Sequence, residues 1–131
     1  MLTDRDGNIL LRQPNVEITE RDCAGHAETA LIRAACKKYG REFLQSCTLY
    51  SIAVPCAMCA GGHLLGQCAA RGVRHFGEKA SEFTGADPQN PTLDLPCREV
   101  FVRGEKRIEV IGPVEDIADA VYEVHKGYWN K

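Results

Sequence analysis

Apolar residues recur along the chain with two different periods, one typical of helices and one of strands. In the first third they fall three or four apart and stop before Gly40, which predicts a first helix over about residues 25–39. Residues 47–54 form a run rich in β-branched and aromatic side chains, which indicates a buried strand. Pro55 ends that strand and suits the first turn of a second helix over about residues 56–69.

Shorter elements flank this strand and helix. The Asp6-Gly7 pair is typical of a tight hairpin turn, so a strand is predicted to follow it over about residues 8–13. After the second helix, the pattern predicts a strand at 73–76, a loop rich in Gly, Pro, Asn and Asp at 77–96, a short helix at 98–103, a strand at 107–111 and an amphipathic helix at 114–126. Strands that alternate with helices predict an α/β layered domain.

Composition narrows the kinds of partner. The chain has 131 residues, 16 of them basic and 18 acidic, with a net charge of -2. This length suits a single domain over residues 1–131. Without a broad positive field, nucleic acid and membrane surfaces are not the expected partners, and a small neutral molecule is expected instead.

Cysteine usage points to a cellular compartment. The seven cysteines are an odd number, and the chain opens without the apolar segment of an export signal, so a reducing cytoplasm is predicted. The least polar stretch, residues 52–65, is too short to span a bilayer and is interrupted by Pro55 and His63. A cytoplasmic chain without a membrane segment is therefore expected.

Three residues have the spacing and chemistry of a zinc site. Cys56 and Cys59 are three apart, so both sulfurs share one face at the start of the second helix. The positive end of a helix favours the thiolate form that a metal needs. His26 would add a nitrogen ligand, and two cysteines with one histidine leave the fourth zinc position open for water. We therefore expect one Zn²⁺ per chain in a site of the catalytic type.

Glu28 lies two residues after this histidine. Side chains two apart on a helix point about 200° from each other, so His26 and Glu28 can serve one centre only where a helix begins. Gly25 just ahead makes such an entry feasible. A carboxylate beside zinc-bound water can accept its proton and pass it on, which makes Glu28 the candidate catalytic acid and base.

These residues resemble the signature of the cytidine deaminase superfamily, H-x-E followed by P-C-x-x-C. His26-Ala27-Glu28 and Pro55-Cys56-Ala57-Met58-Cys59 match it in full. The similarity extends to the branch of guanine deaminases, cytosine deaminases and tRNA adenosine deaminases, because Asn15 stands eleven residues before His26 and Asp22 four before it.

The resemblance implies a three-layer α/β/α fold with a mixed central sheet, of which this chain is expected to lack the first helix and most of the first strand. It implies hydrolytic deamination, with zinc held by His26, Cys56 and Cys59 and protons moved by Glu28. It further implies that Asn15 hydrogen-bonds the base and that the protein forms a homodimer, as is common in this family.

A free base or a related small heterocycle is the expected substrate. Relatives that act on tRNA tend to end in an arginine-rich helix, whereas residues 116–125 here are acidic and apolar. Guanine is favoured because guanine deaminases share the His-Ala-Glu form. Candidate substrate contacts are Asp87 and Asp94 on the amidine edge of guanine, Trp129 stacking on the ring, and the backbone N–H of Ala27 on the developing charge.

Other interpretations stay open. Cytosine or tRNA adenosine could replace guanine as the substrate. Cys23 stands three residues before His26 and could close a four-ligand, purely structural zinc site with Cys56 and Cys59. Such a chain would be a catalytically silent domain that acts through subunit contacts.

Overall fold

The computed structural model describes residues 1–69, 72–75 and 93–125. Its strands are β1 (Leu2–Thr3), β2 (Ile9–Leu11), β3 (Thr48–Ser51), β4 (Gly72–His75) and β5 (Val110–Ile111). Its helices are α1 (Ala27–Lys38), α2 (Arg41–Gln45), α3 (Ala57–Gly66), α4 (Cys97–Val102) and α5 (Glu115–His125).

The strands form one mixed sheet in the order β2-β1-β3-β4-β5. β1 is antiparallel to both β2 and β3, and the β1–β2 hairpin turns at Gly7, whose φ of 88° suits glycine. β3, β4 and β5 are parallel, and α3 makes the crossover between the first two of them. The α/β fold with a mixed central sheet that the sequence predicts is confirmed.

The hydrophobic core lies where the sheet meets the helices. Its largest fully buried apolar side chains come from β1, α1, α2, β3 and β4, and they are Leu2, Leu31, Leu44, Leu49 and Val73. α3 packs against both α1 and α4. The core therefore fixes the starts of α1 and α3 relative to the end of β3.

The predicted elements are present, most with shorter bounds; β4 and α4 keep the predicted length and begin one residue earlier. The apolar spacing predicts helices over 25–39 and 56–69, whereas α1 and α3 begin one or two residues later and end earlier. The strand expected at 107–111 contains only the two paired residues of β5. The sequence pattern does not predict α2, because a helix of five residues is a single turn with no period to detect.

The sequence also predicts that no segment spans a membrane and that a long loop follows β4. No helix in the described ranges is both long and apolar enough to cross a bilayer. Most of the loop predicted at 77–96 lies outside the described residues, so its expected part in shaping a substrate site stays a prediction.

Candidate active site

Three ligand atoms converge where α1 and α3 begin. The candidate atoms of His26, Cys56 and Cys59 all lie within 4.8 Å of one another. His26 Nδ1 and Cys56 Sγ are 3.5 Å apart, as are the two sulfurs. Ligands about 2.0 and 2.3 Å from one tetrahedral zinc ion would be separated by about 3.5 to 3.8 Å, so both of these distances suit Zn²⁺.

Helix entry explains why these side chains meet. His26 is the N-cap of α1 and Cys56 the N-cap of α3, both with extended backbone angles. Neither side chain caps its own helix, which leaves both free to ligate. The first backbone bonds of the helices are nevertheless made, since Ala30 N–H donates to His26 O and Ala60 N–H to Cys56 O, each at 2.9 Å.

Gly25 sets the chain direction just before His26. Its N–H donates to Asp22 O and its carbonyl accepts from Val16 N–H, each at 2.8 Å. A Cβ at this position would lie 2.8 Å from Asp22 O and 3.0 Å from Glu17 N, both backbone atoms. Only glycine permits this close approach, so the entry inferred from the sequence has a steric cause.

Charge is distributed unequally over the ligands. The hydrogen bond with Cys59 and then that with His26 lower the pKa of Cys56 to about 4, against the opposing effect of burial. The pKa of Cys59 is raised, first by the same hydrogen bond and then by burial. The pKa of His26 is raised, chiefly by its hydrogen bond with Cys56. Cys56 is thus the more acidic thiol of the pair, and a bound cation would favour the thiolate form of both.

Glu28 is in contact with the metal-ligand cluster. Cys59 Sγ donates to Glu28 Oε2 at 3.6 Å, and Ser51 Oγ donates a short hydrogen bond to Glu28 Oε1. Ser51 is the last residue of β3, so the end of the central strand fixes one oxygen of the carboxylate. Glu28 can therefore exchange protons with a molecule held beside the ligands.

A cavity of about 410 Å³ opens beside this carboxylate. Its volume lies in the range of small-molecule sites. Ala27 and Glu28 line it together with residues of β3 and of the segment after β2, among them Leu49, Ser51, Arg12 and Pro14.

The predicted substrate contacts have different outcomes. Asn15 is exposed, and its amide is bonded to Glu17: Asn15 Nδ2 donates to Glu17 Oε2 at 2.5 Å, and Glu17 N–H donates to Asn15 Oδ1 at 2.9 Å. Asp94 is exposed just before α4. Asp87 and Trp129 lie outside the described residues. The substrate roles of all these residues stay predictions.

Cys23 does not join the ligand cluster. It is exposed, and within the described part of the chain only His26, Cys56 and Cys59 form a group able to hold a metal. Among the described residues three ligands converge and none takes a fourth position, as in zinc sites of the catalytic type.

Ser51, Glu17 and Arg12 are site residues that the sequence pattern does not identify. Ser51 contacts Glu28, Glu17 lies 3.8 Å from His26 Nε2, and Arg12 lines the cavity. A serine in a strand and charged residues in a loop are common on any chain. No local pattern distinguishes them, because only the fold brings them to the site.

Comparison with protein families gives one match that covers more than half of the chain. Residues 1–71 match the model of the cytidine and deoxycytidylate deaminase zinc-binding region. The match includes all three ligands and Glu28.

Curated relatives agree with the family match. A probable cytosine deaminase of Schizosaccharomyces pombe is 30% identical over 135 residues, which is 99% of this chain and 77% of the relative. A guanine deaminase and a tRNA-specific adenosine deaminase of Bacillus subtilis are each 42% identical over 44% and 46% of this chain, and 36% and 37% of their own lengths. The tRNA-specific relatives contradict the prediction that nucleic acid can be set aside as a partner.

Solved structures share the fold. A guanine deaminase from Nitrosomonas europaea superposes with a TM-score of 0.67 at 23% identity, covering 95% of this chain and 69% of that one. A tRNA deaminase of the A-to-I wobble-editing type gives a TM-score of 0.58 at 27% identity over 83% of this chain and 76% of that one. The cytoplasmic location and the homodimer stay predictions.

Proposed function

Because the chain belongs to the family of cytidine and deoxycytidylate deaminases that share this zinc-binding region, we propose that it hydrolytically deaminates a free nucleobase or a related small N-heterocycle. The observation that carries the proposal is the placement of Glu28. Its carboxylate touches the ligand Cys59 on one side and lines a cavity of about 410 Å³ on the other.

The residues of the site have two roles, metal binding and proton transfer. His26, Cys56 and Cys59 would hold Zn²⁺, which when bound supplies an activated water at neutral pH. Glu28 would accept a proton from a water molecule that attacks the ring carbon bearing the amine, and would deliver the proton to the adjacent ring nitrogen. Glu28 would then move the remaining proton of the added hydroxyl to the amine, so that the C–N bond breaks and ammonia leaves. Water is thereby consumed and a carbonyl replaces the amine.

The chain supports this chemistry with two further groups. Ser51 donates to one oxygen of Glu28 and leaves the other directed at Cys59, which restricts the orientation of the carboxylate. Ala27 lines the cavity, and its backbone N–H lies at the positive start of α1, which favours negative charge developing on a substrate there.

Guanine and cytosine are the bases to test first. Guanine is the base that the sequence motif favours, with Asp87, Asp94 and Trp129 as candidate contacts. Cytosine is supported by the relative named a probable cytosine deaminase, whose match spans 99% of this chain. A tRNA adenosine is the third candidate, because a tRNA-specific adenosine deaminase of Bacillus subtilis is 42% identical over 46% of this chain.

The test is ammonia release by the zinc-loaded chain on guanine, cytosine, adenine and a tRNA anticodon stem-loop. We expect turnover of one free base. Glu28→Gln should reduce it by at least about 10³-fold while the zinc content stays at one ion per chain, because the amide cannot accept the proton. Retained turnover in Glu28→Gln would remove the assigned role of this residue.

Glu20→Gln is the matched control. Glu20 is an exposed acid in the segment before α1, and the same change of charge there should leave turnover unaltered. If the zinc-loaded wild-type chain releases no ammonia from any of these substrates, the catalytic proposal fails and the silent, zinc-stabilised domain is favoured instead.

A further inference from the structure

Glu17 contacts two candidate site residues, one before it and one after it in the sequence. One carboxylate oxygen, Oε1, lies 3.8 Å from His26 Nε2. The other, Oε2, accepts a hydrogen bond of 2.5 Å from Asn15 Nδ2. No other carboxylate in the described ranges forms an ion pair with His26. Glu17 therefore bridges a zinc ligand and the candidate base-binding amide.

The two nitrogens of His26 face different partners. Nδ1 faces Cys56 Sγ, which is the side on which the three ligand atoms converge. Nε2 points away from that cluster, toward Glu17. A histidine that ligates zinc through one nitrogen commonly carries its proton on the other, where a carboxylate fixes the tautomer and the ring orientation.

The segment around Glu17 keeps the carboxylate in place. Glu17 N–H donates to Asn15 Oδ1 at 2.9 Å, and Glu17 O accepts from Asp22 N–H at 3.1 Å. Val16, the preceding residue, is buried and bonds through its N–H to Gly25 O. Both the backbone and the side chain of Glu17 are therefore constrained although the residue is half exposed.

We infer that Glu17 is a positioning residue for the metal site: one carboxylate oxygen holds the His26 ring with Nδ1 toward the ligand cluster, and the other binds the Asn15 amide. This inference rests on the proposed metal site but not on the choice of substrate. Its consequence is measurable as metal affinity, because removing such a carboxylate typically weakens zinc binding about 10- to 100-fold.

The experiment measures the zinc dissociation constant by chelator competition for wild type, Glu17→Ala, Glu17→Gln and Glu20→Ala. We expect about a 10-fold weaker affinity for Glu17→Ala, a smaller loss for Glu17→Gln, which keeps a hydrogen-bond acceptor, and less than a twofold change for Glu20→Ala. Glu20 matches Glu17 in charge and lies in the same segment.

Two further measurements separate positioning from folding. The melting temperature of the metal-free Glu17→Ala chain should equal that of metal-free wild type, and the absorption of its cobalt-loaded form should shift because the histidine ligand is reoriented. Wild-type affinity in Glu17→Ala, an equal loss in Glu20→Ala, or a loss of affinity that only follows a lower metal-free melting temperature would each overturn the inference.

The outcome is distinguishable from that of the deaminase proposal. Weaker zinc binding in Glu17→Ala together with an inactive wild-type chain would keep the positioning role and reject the enzymatic one. A wild-type chain that binds no zinc would overturn both.

Discussion

The two halves of the metal site are held in place by different forces. His26 and Glu28 enter from a half-exposed segment of hydrogen bonds and ion pairs, in which Asp22 binds Arg33 at 2.6 Å. Cys59 comes from the core side, where it is fully buried one turn before His63, which is also fully buried. Polar contacts at a surface are weaker and respond more to solvent than apolar packing does. We infer that the histidine half is adjustable and the cysteine half is rigid.

The largest expected effect comes from removing one ligand from each half, and the two variants should differ in stability without metal. Cys59→Ala and His26→Ala should both weaken zinc binding by more than about 100-fold, because each removes one of three ligands. Without metal, Cys59→Ala should lower the free energy of unfolding by about 1 kcal/mol through lost packing, and His26→Ala by less than about 0.5 kcal/mol. Urea unfolding in the presence of a chelator measures this difference, and equal losses would contradict the comparison.

The second effect is a pH dependence that arises in the rigid half. Burial of His63 lowers its pKa to about 4, reinforced by the Met1 ammonium and opposed in part by the backbone of Cys68. Neither ring nitrogen has a hydrogen-bond partner among the described residues. Because the folded pKa lies below the unfolded value of about 6.5, the unfolded chain binds more protons between these two values.

The contribution of neutral His63 to the free energy of unfolding is therefore complete above about pH 6.5 and is lost as the pH falls toward 4. We expect the metal-free chain to lose up to about 3 kcal/mol of unfolding free energy over that interval. His63→Leu should flatten this slope and should not reduce stability at pH 7, since it removes two unpaired polar atoms. Chemical unfolding at a series of pH values checks it, and an unchanged slope in His63→Leu would assign the acid sensitivity to other groups.

The third effect compares two glycines, one that lies against backbone atoms and one that lies against side chains. A Cβ at Gly25 meets backbone atoms that cannot move separately, so Gly25→Ala should cost about 1 to 3 kcal/mol and weaken zinc binding by shifting His26. A Cβ at Gly66 meets the side chains of Ile32 and Cys36 at 3.1 and 3.3 Å, which can rotate. Gly66→Ala also gains helix propensity and should stay within about 1 kcal/mol of wild type.

The measurements for this pair are melting temperature and zinc affinity. A Gly25→Ala chain that binds zinc as tightly as wild type would show that the segment before α1 can shift without moving His26. In that case the backbone of the histidine half, and not only its side chains, would be adjustable.

The sequence predicts the parts of this molecule that are governed by local pattern. α1, α3 and β3 follow from the spacing of apolar residues and from Pro55. The ligands are recognisable because Cys56 and Cys59 share a helix face and because His26 and Glu28 stand at a helix start. A group of residues able to hold a metal at two helix starts can thus be indicated by residue spacing.

Parts that depend on tertiary structure cannot be predicted in the same way. β5 has two paired residues because its pairing with β4 decides its length. Ser51 and Glu17 reach the site through the end of a strand and the path of a loop. The engagement of Asn15 by Glu17 is likewise a property of the folded loop, whereas the sequence suggests only a base-binding role.

The smallest expected effect concerns the Arg33–Asp22 ion pair in the adjustable half. Asp22 Oδ1 also accepts a hydrogen bond from Ala24 N–H at 2.9 Å, and this bond and then the Arg33 guanidinium lower the pKa of the carboxyl.

Arg33→Ala removes only the second contact, and the pair is exposed, so the melting temperature should fall by no more than about 1 to 4 °C at low salt. In about 1 M salt the difference from wild type should nearly disappear, because exposed charges are screened there over about 3 Å. Zinc affinity should change less than twofold, since Ala24 and Gly25 still hold the loop. A loss that persists in high salt would mean that the Arg33 stem, rather than its charge, supports the start of α1.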